Sequence, residues 1–158
     1  MQKITTFLGF DDQCEEAVKL YTSIFKNSRI VSTQRFGEAG PGPKGSVMAM
    51  TFELEGQRFM ALNGGPTFTF TEGISLFVDC QTQAEVDELW AKLTAGGGKP
   101  GRCGWLTDRF GLSWQIIPSV LGGLLGGKDP AGAARAMRAM LTMNKLDAAT
   151  LQRAYDGV

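Results

Sequence analysis

Histidine does not occur anywhere in the 158 residues. That absence excludes an imidazole-ligated zinc, iron or copper site, a Ser-His triad and a histidine general base. An excess of charge of one sign is lacking too. Lys plus Arg and Asp plus Glu each number 16, and no basic cluster stands out. No net field therefore draws the chain to nucleic acid or to anionic lipid. There is no apolar run of about 18 residues and no signal-peptide pattern at the start. The expectation is a cytoplasmic protein with neither a nucleic-acid nor a membrane partner. Cysteine is scarce: Cys14, Cys80 and Cys103 are odd in number and not closely paired, as in a reducing compartment.

What the chain does have is a pattern stated twice. Phe7-Leu8-Gly9-Phe10-Asp11 precedes Cys14-Glu15-Glu16-Ala17-Val18-Lys19-Leu20-Tyr21. Ser75-Leu76-Phe77-Val78-Asp79 precedes Ala84-Glu85-Val86-Asp87-Glu88-Leu89-Trp90. Each copy is an apolar run closed by an acidic residue, then a turn, then an amphipathic helix. Matched on Asp11 and Asp79, the copies lie 68 positions apart. That period is too long for a solenoid unit and suits half a small domain. Two such units placed sheet edge to sheet edge leave a cleft, where a site is expected.

The first unit reads as strand Ile4 to Phe10, a helix from Gln13 with Asp12 and Glu15 as a capping box, and strand Arg29 to Phe36. A breaker loop with Pro41 and Pro43 leads to strand Val47 to Leu54, a Glu55-Gly56 turn and strand Arg58 to Leu62. The second reads as strand Ile74 to Asp79, a helix capped by Thr82 and Glu85 and stopped by Gly96-Gly97-Gly98, then strands Gly104 to Thr107 and Leu112 to Ile117 around the turn Asp108-Arg109-Phe110-Gly111. A helical tail follows, with one or two turns over Val120 to Leu125 and a helix starting at Asp129-Pro130. Its expected apolar face is Ala133, Ala136, Met137, Met140, Leu141 and Asn144, and Asp147 caps a last helix through Tyr155. The expected fold is α+β: one domain made of a βαβββ module over 1–66, a second over 67–118 and a helical tail over 119–158.

Candidate chemistry is sparse. Gly64-Gly65, Gly96-Gly97-Gly98 and Gly122-Gly123 match neither a dinucleotide fingerprint nor a P-loop, and read as turns. Cys103, near Arg102 and Arg109, has no base beside it and reads as an inert thiol. Trp105, Phe110 and Trp114 either stack a planar ligand or fill the core. Strand alternation puts Trp114 in the core and Gln115 on the opposite face, lining the cleft or facing solvent. Met137, Met140 and Met143 read as packing, across a dimer interface or within the chain, with a substrate lid as the lesser reading.

Several blocks carry a family likeness: Cys14-Glu15-Glu16-Ala17, Phe36-Gly37-Glu38-Ala39-Gly40-Pro41, Leu62-Asn63-Gly64-Gly65-Pro66, and above all the run from Cys103 to Pro118. With the doubled order of elements, the chain resembles the PhnB-like branch of the vicinal oxygen chelate superfamily, which has the glyoxalase/bleomycin-resistance/extradiol-dioxygenase fold. Its members often carry the label 3-demethylubiquinone-9 3-methyltransferase. The resemblance implies a homodimer. It also implies a divalent-metal site drawn from the first and last strands of each unit, at positions falling near Thr5, near Gly73, at Phe59 or Met60, and at Gln115, where metal-dependent members carry Glu. These residues supply too little charged oxygen for a hard cation. The expectation is therefore a fold without the metal and without a cofactor. A small organic molecule would bind in a cleft lined by Thr5, Phe7, Asn63, Ser75, Phe77, Trp105 and Gln115, with no catalytic residue identified. The competing readings are an enzyme of the superfamily (lyase, dioxygenase or methyltransferase) with an unrecognised catalytic set, and a non-catalytic structural or interaction protein. The sequence does not name the ligand.

Overall fold

A computed structural model describes all of residues 1–158. The chain divides into two compact units, Met1–Phe70 and Thr71–Val158. The first has the order β1 (Thr6–Phe10), α1 (Cys14–Ile24), β2 (Arg29–Arg35), β3 (Val47–Leu54), β4 (Gln57–Asn63). The second has β5 (Ser75–Cys80), α2 (Gln83–Thr94), β6 (Lys99–Pro100), β7 (Trp105–Thr107), β8 (Ser113–Pro118), then α3 (Val120–Leu125), α4 (Pro130–Met140) and α5 (Ala148–Asp156). Each unit builds one four-stranded sheet, ordered β1-β4-β3-β2 in the first and β5-β8-β7-β6 in the second. In both, the first and last strands pair in parallel and the remaining pairs are antiparallel. The repeat read from the sequence is a repeat of topology.

Its true offset is 70, not 68. Gly64 N–H donates to Phe10 O, and Ser119 N–H donates to Cys80 O, each at 2.8 Å, so Phe10 and Cys80 occupy one place in the two copies. The sequence match rested on Asp11 and Asp79, which differ in role: Asp11 follows β1, whereas Asp79 lies inside β5.

Each helix covers one face of its own sheet. In the first unit Leu8, Phe10, Met50, Phe52, Leu54, Phe59 and Ala61 are buried together with Cys14, Ala17, Val18 and Tyr21 of α1. Alternation along a strand sends these side chains to one face and their neighbours to the other. The β3–β4 hairpin closes through Glu55 (φ 49°) and Gly56 (φ 79°), the two left-handed residues of a type I′ turn. In the second unit Val86, Leu89 and Leu93 of α2 are buried with Leu106, Trp114 and Ile116.

The two helix starts differ. Thr82 caps α2, accepting from Glu85 N–H at 3.2 Å, while Glu85 Oε2 accepts from Gln81 N–H at 3.0 Å. The capping box expected at Asp12 and Glu15 does not form. Gln13 stands at the cap without a side-chain bond. The first-turn donor Cys14 N–H goes instead to Asn63 Oδ1 at 2.8 Å, a partner 49 residues away that sequence spacing does not reveal. Strand β6 completes the expected βαβββ order, although the sequence reading assigned no residues to it. It is two residues long, and exposed Lys99 and Pro100 make it a sheet edge that resists further pairing.

The tail belongs to the second unit. Leu121, Leu124, Ala136, Leu146 and Leu151 form a buried cluster with Ile117 of β8. Cys103 N–H donates to Met143 O and Gly104 N–H to Asn144 O, both at 2.8 Å. The Gln83 side chain bonds Leu146 O and Ala148 N–H at 2.9 and 2.8 Å. The buried face of α4 is rotated from the expected one. Gly132 and Ala136 are buried, whereas Met137 and Leu141 are exposed and Asn144 lies beyond the helix. The cause is the close approach of α5: a Cβ on Gly132 would lie 2.8 Å from Tyr155 O. Met140 and Met143 pack against the tail cluster, as expected of packing residues.

One buried carboxylate organises the β7–β8 connection. Asp108, 2% exposed, accepts through Oδ1 from Phe110 N–H (2.9 Å) and Leu112 N–H (3.1 Å), and through Oδ2 from Trp114 Nε1–H (2.9 Å). Asp108→Asn turns one acceptor into a donor that faces a donor. A hydrogen bond to a charged group and the satisfaction of a buried donor are lost together, so we expect a loss of about 3 kcal/mol in urea unfolding. A loss below about 0.5 kcal/mol would overturn this account.

The cysteines divide by burial. Desolvation, with Glu15 adding to it, pushes the Cys14 thiol up to about 11. Desolvation, with Glu85 and Asp79 adding to it, pushes Cys80 up to about 12. At pH 8 roughly one Cys14 side chain in a thousand is thiolate, and fewer at Cys80. Cys103, expected from the sequence to be a buried, inert thiol, is only half-buried. In the native protein an aromatic disulfide reagent should titrate about one thiol per chain quickly, and all three after denaturation. Fast reaction of two or more thiols would show that the core around Cys14 or Cys80 opens.

Candidate functional site

The face of each sheet not covered by its helix carries the residues of interest. Pairing register in the first unit puts Phe7 beside Met60, Met60 beside Thr51 and Thr51 beside Ser32. Phe7 is 52% exposed and Met60 is also exposed. In the second unit Phe77 lies beside Gln115 and Gln115 beside Trp105. Phe77 is 59% exposed, and Trp105 and Gln115 are half-buried. Directly paired residues project side by side from a sheet, so these three form a row. A flat apolar ring stands on each side of a carboxamide.

Gln115 Nε2 donates to Ser75 Oγ at 2.9 Å, which fixes the amide. Its carbonyl oxygen is an acceptor and its second N–H a donor. Ser75 begins the adjoining row, Ser75–Ser113–Thr107, with Lys99 beside Thr107. Ser113 and Thr107 were not singled out in the sequence, although a step of two from Gln115 and from Trp105 reaches them. Trp114 turns to the other face and is buried, with its indole N–H on Asp108.

Asn63 has a different task. Its Oδ1 accepts from Cys14 N–H at 2.8 Å and its Nδ2 donates to Val47 O at 3.1 Å. The amide ties the end of β4 to the start of α1 and the start of β3. Thr5 lies just before β1, at the place that Ser75 holds in the second copy.

The positions implied for metal ligands correspond as Thr5 with Ser75, by the offset of 70, and as Met60 with Gln115, by strand register, since Phe7 pairs with Met60 where Phe77 pairs with Gln115. Ser75 thus replaces Gly73 as the counterpart of Thr5. The donor set is two hydroxyls, a thioether and an amide. It lacks the carboxylate oxygens of a hard-cation site and the imidazole or thiolate nitrogen and sulfur that zinc takes. The residues do not fit a divalent metal. No three Cys, Asp or Glu side chains converge on a metal-sized site elsewhere in the chain. Two of the glycine runs serve a turn and a helix end, with φ of 93° at Gly65 and 70° and 114° at Gly96 and Gly97, whereas Gly122 and Gly123, expected as a turn, lie inside α3.

The sequence model of the 3-demethylubiquinone-9 3-methyltransferase family matches residues 2–117. No curated protein matches the chain. Among solved structures, a PhnB protein from Bacillus cereus is 43% identical, with a TM-score of 0.69, covering 74% of this chain and 99% of that one. A protein from Pseudomonas aeruginosa is 24% identical, with a TM-score of 0.59, covering 72% of this chain and 95% of that one. A glyoxalase/bleomycin resistance protein from Albidiferax ferrireducens T118 is 19% identical, with a TM-score of 0.46, covering 72% and 95%. The family match stops at Ile117, ahead of α3, α4 and α5. The chain belongs to the PhnB-like 3-demethylubiquinone-9 3-methyltransferase family, built as two βαβββ units.

Proposed function

We propose that the protein binds a small, uncharged organic molecule without a metal or cofactor, using the faces of its sheets that the helices leave uncovered. The observation that carries this is the Phe77–Gln115–Trp105 row. A folded chain gains nothing from leaving a phenyl ring 59% exposed beside a half-buried tryptophan, whereas a ligand stacked there would desolvate both rings. Gln115, oriented by Ser75, would pair with the polar end of that ligand. Thr5 and Phe7 contribute the corresponding surface in the first unit. Methyl transfer, the activity in the family's name, needs a donor site, and the glycine runs that would cradle a donor are occupied as turns and a helix. We infer a homodimer from the family resemblance and from exposed Ile30 and Ile74. We infer a cytoplasmic location from the unpaired cysteines. No helix is long and apolar enough to cross a membrane.

A thermal-shift screen of neutral aromatic and heteroaromatic compounds tests the reading, because a binder stabilises the native state by mass action. At least one chemical series should raise the melting temperature in proportion to its concentration. Gln115→Leu should fold normally and bind that series about tenfold more weakly, since one neutral hydrogen bond is worth roughly 0.5–1.5 kcal/mol. The reading fails if no compound stabilises the protein, or if the variant binds as tightly as the parent. Separately, EDTA should leave the melting temperature of freshly purified protein unchanged. A drop of several degrees, with about one equivalent of zinc, nickel or iron released, would show that a metal is held by residues other than the four corresponding positions.

A further inference from the structure

Gly9 sits inside strand β1, where glycine weakens a strand and often marks a close approach by another group. Its φ is not in the left-handed region, so the backbone does not require glycine there, and the same holds for Gly64 just after β4. Both glycines face one object, the ring of Phe68. A Cβ on Gly9 would lie 2.5 Å from Phe68 Cδ1, and a Cβ on Gly64 would run into Cε2 of the same ring. Alternation places Gly9 on the uncovered face of the first sheet, two residues from Phe7. The two glycines form a cradle shaped for a flat ring, and Phe68 fills it.

The floor and the ring are held differently. Gly64 N–H donates to Phe10 O at 2.8 Å and Gly65 N–H to Asp11 O at 3.1 Å, which locks the floor onto β1. The ring rides on the segment that follows Pro66, where Phe68 N–H reaches Gly65 O at 3.3 Å. Phe68 remains 46% exposed, and Phe70, two residues on, grips Phe10 edge-on with centroids 5.2 Å apart. A half-exposed ring on a loosely bonded segment over a fixed floor leaves its seat at low free-energy cost.

We propose that the Gly9–Gly64 cradle is a ring-binding subsite on the uncovered face of the first sheet, and that Phe68 is its displaceable internal occupant. The ligand class is a planar, uncharged aromatic molecule whose ring replaces the phenyl of Phe68 and continues onto Phe7 and Met60. This rests on the reading that the uncovered faces bind small organic molecules, and it adds where a ring sits and what it displaces. While Phe68 fills the cradle, only the fraction of molecules with the ring withdrawn is competent, and apparent affinity falls by that fraction.

The test uses 2-naphthol as the probe, with binding followed through backbone amide resonances of the full chain. Phe68→Ala removes a half-exposed ring and should keep a cooperative melting transition. It should bind 2-naphthol about fivefold or more tightly than the parent, because the internal competitor is gone, with the largest shifts at the amides of Gly9 and Gly64. Adding Gly64→Ala to Phe68→Ala fills the floor with a methyl group and should abolish the gain. Equal affinity of parent and Phe68→Ala overturns the cradle. So does a gain that survives Gly64→Ala. Shifts confined to Phe77, Trp105 and Gln115 overturn the cradle while supporting binding on the second sheet. Absence of binding by both the parent and Phe68→Ala overturns the cradle, and with it binding of this probe class anywhere on the chain.

Discussion

The Asp108 carboxylate is the constraint on which the second unit's uncovered face depends. β8 pairs with β5 over six positions but with β7 over only three, a short ladder to hold that hairpin's register. Asp108 supplies the missing specification. Its two oxygens take the N–H groups of Phe110 and Leu112 and the indole N–H of Trp114, while its own N–H donates to Leu112 O at 2.9 Å. Pinning Trp114 to the α2 side settles every other side chain of β8, because the strand period is two and a slip of one residue would exchange the faces. Gln115 consequently lies on the uncovered face, between Phe77 and Trp105. A buried carboxylate is costly to desolvate, and three N–H donors, aided by the positive edge of the indole, offset that cost.

The tail completes the same face from the other end of β7. Trp105 follows Cys103 and Gly104, whose N–H groups go to Met143 O and Asn144 O. Gly104 has a φ of 86°, and a Cβ there would lie 2.8 Å from Ile117 Cδ1 and 3.0 Å from Leu146 Cδ1. Glycine is demanded by both backbone and space. Arg102 adds a bond to Leu141 O at 3.0 Å. The segment beyond the family match thus fixes where β7 begins, and Ile117, on the same face as Gln115, is buried in the tail's own cluster.

Much of this was legible in the sequence because its determinants are local. Val47 to Leu54 alternates and ends at Glu55-Gly56, so the strand and its turn were found at their observed limits. Thr82, Asp129 and Asp147 each cap the helix they precede, through side chains that reach only two or three residues ahead. The failures are long-range. Asn63 was read only as lining the cleft, and the bonds of its amide to Cys14 and Val47, 49 and 16 residues away, have no local signal. Asp108 does open the expected turn, with Gly111 N–H on its carbonyl at 3.0 Å, but its bond to Trp114 Nε1 depends on the hairpin having formed and has no local signal. Gly9 passed as an ordinary strand residue, since its reason is a ring 59 positions further along the chain. Met137 and Leu141 were assigned to the buried face of α4 from size and spacing, whereas the tight contact with α5 selects the small Gly132 and Ala136.

The correspondence between the two units shows what the fold retains when its chemistry changes. Thr5 and Ser75 occupy equivalent places and both carry hydroxyls, while Met60 and Gln115, also equivalent, carry a thioether and an amide. None of the four is charged, so none needs a counter-ion to be buried, and each tolerates an apolar neighbour such as Phe7 or Phe77. Neutral donors and acceptors contribute little affinity apiece, but leaving one of them unpaired under a ligand costs more than pairing it gains. A surface built this way therefore discriminates mainly by rejection. On the proposed reading, a molecule would be accepted when its flat part covers the rings and its polar edge meets Gln115, and one of the same shape without that edge would strand the amide. Without the strong attraction of an ion, the proposed binding would rest on shape and hydrogen-bond pairing.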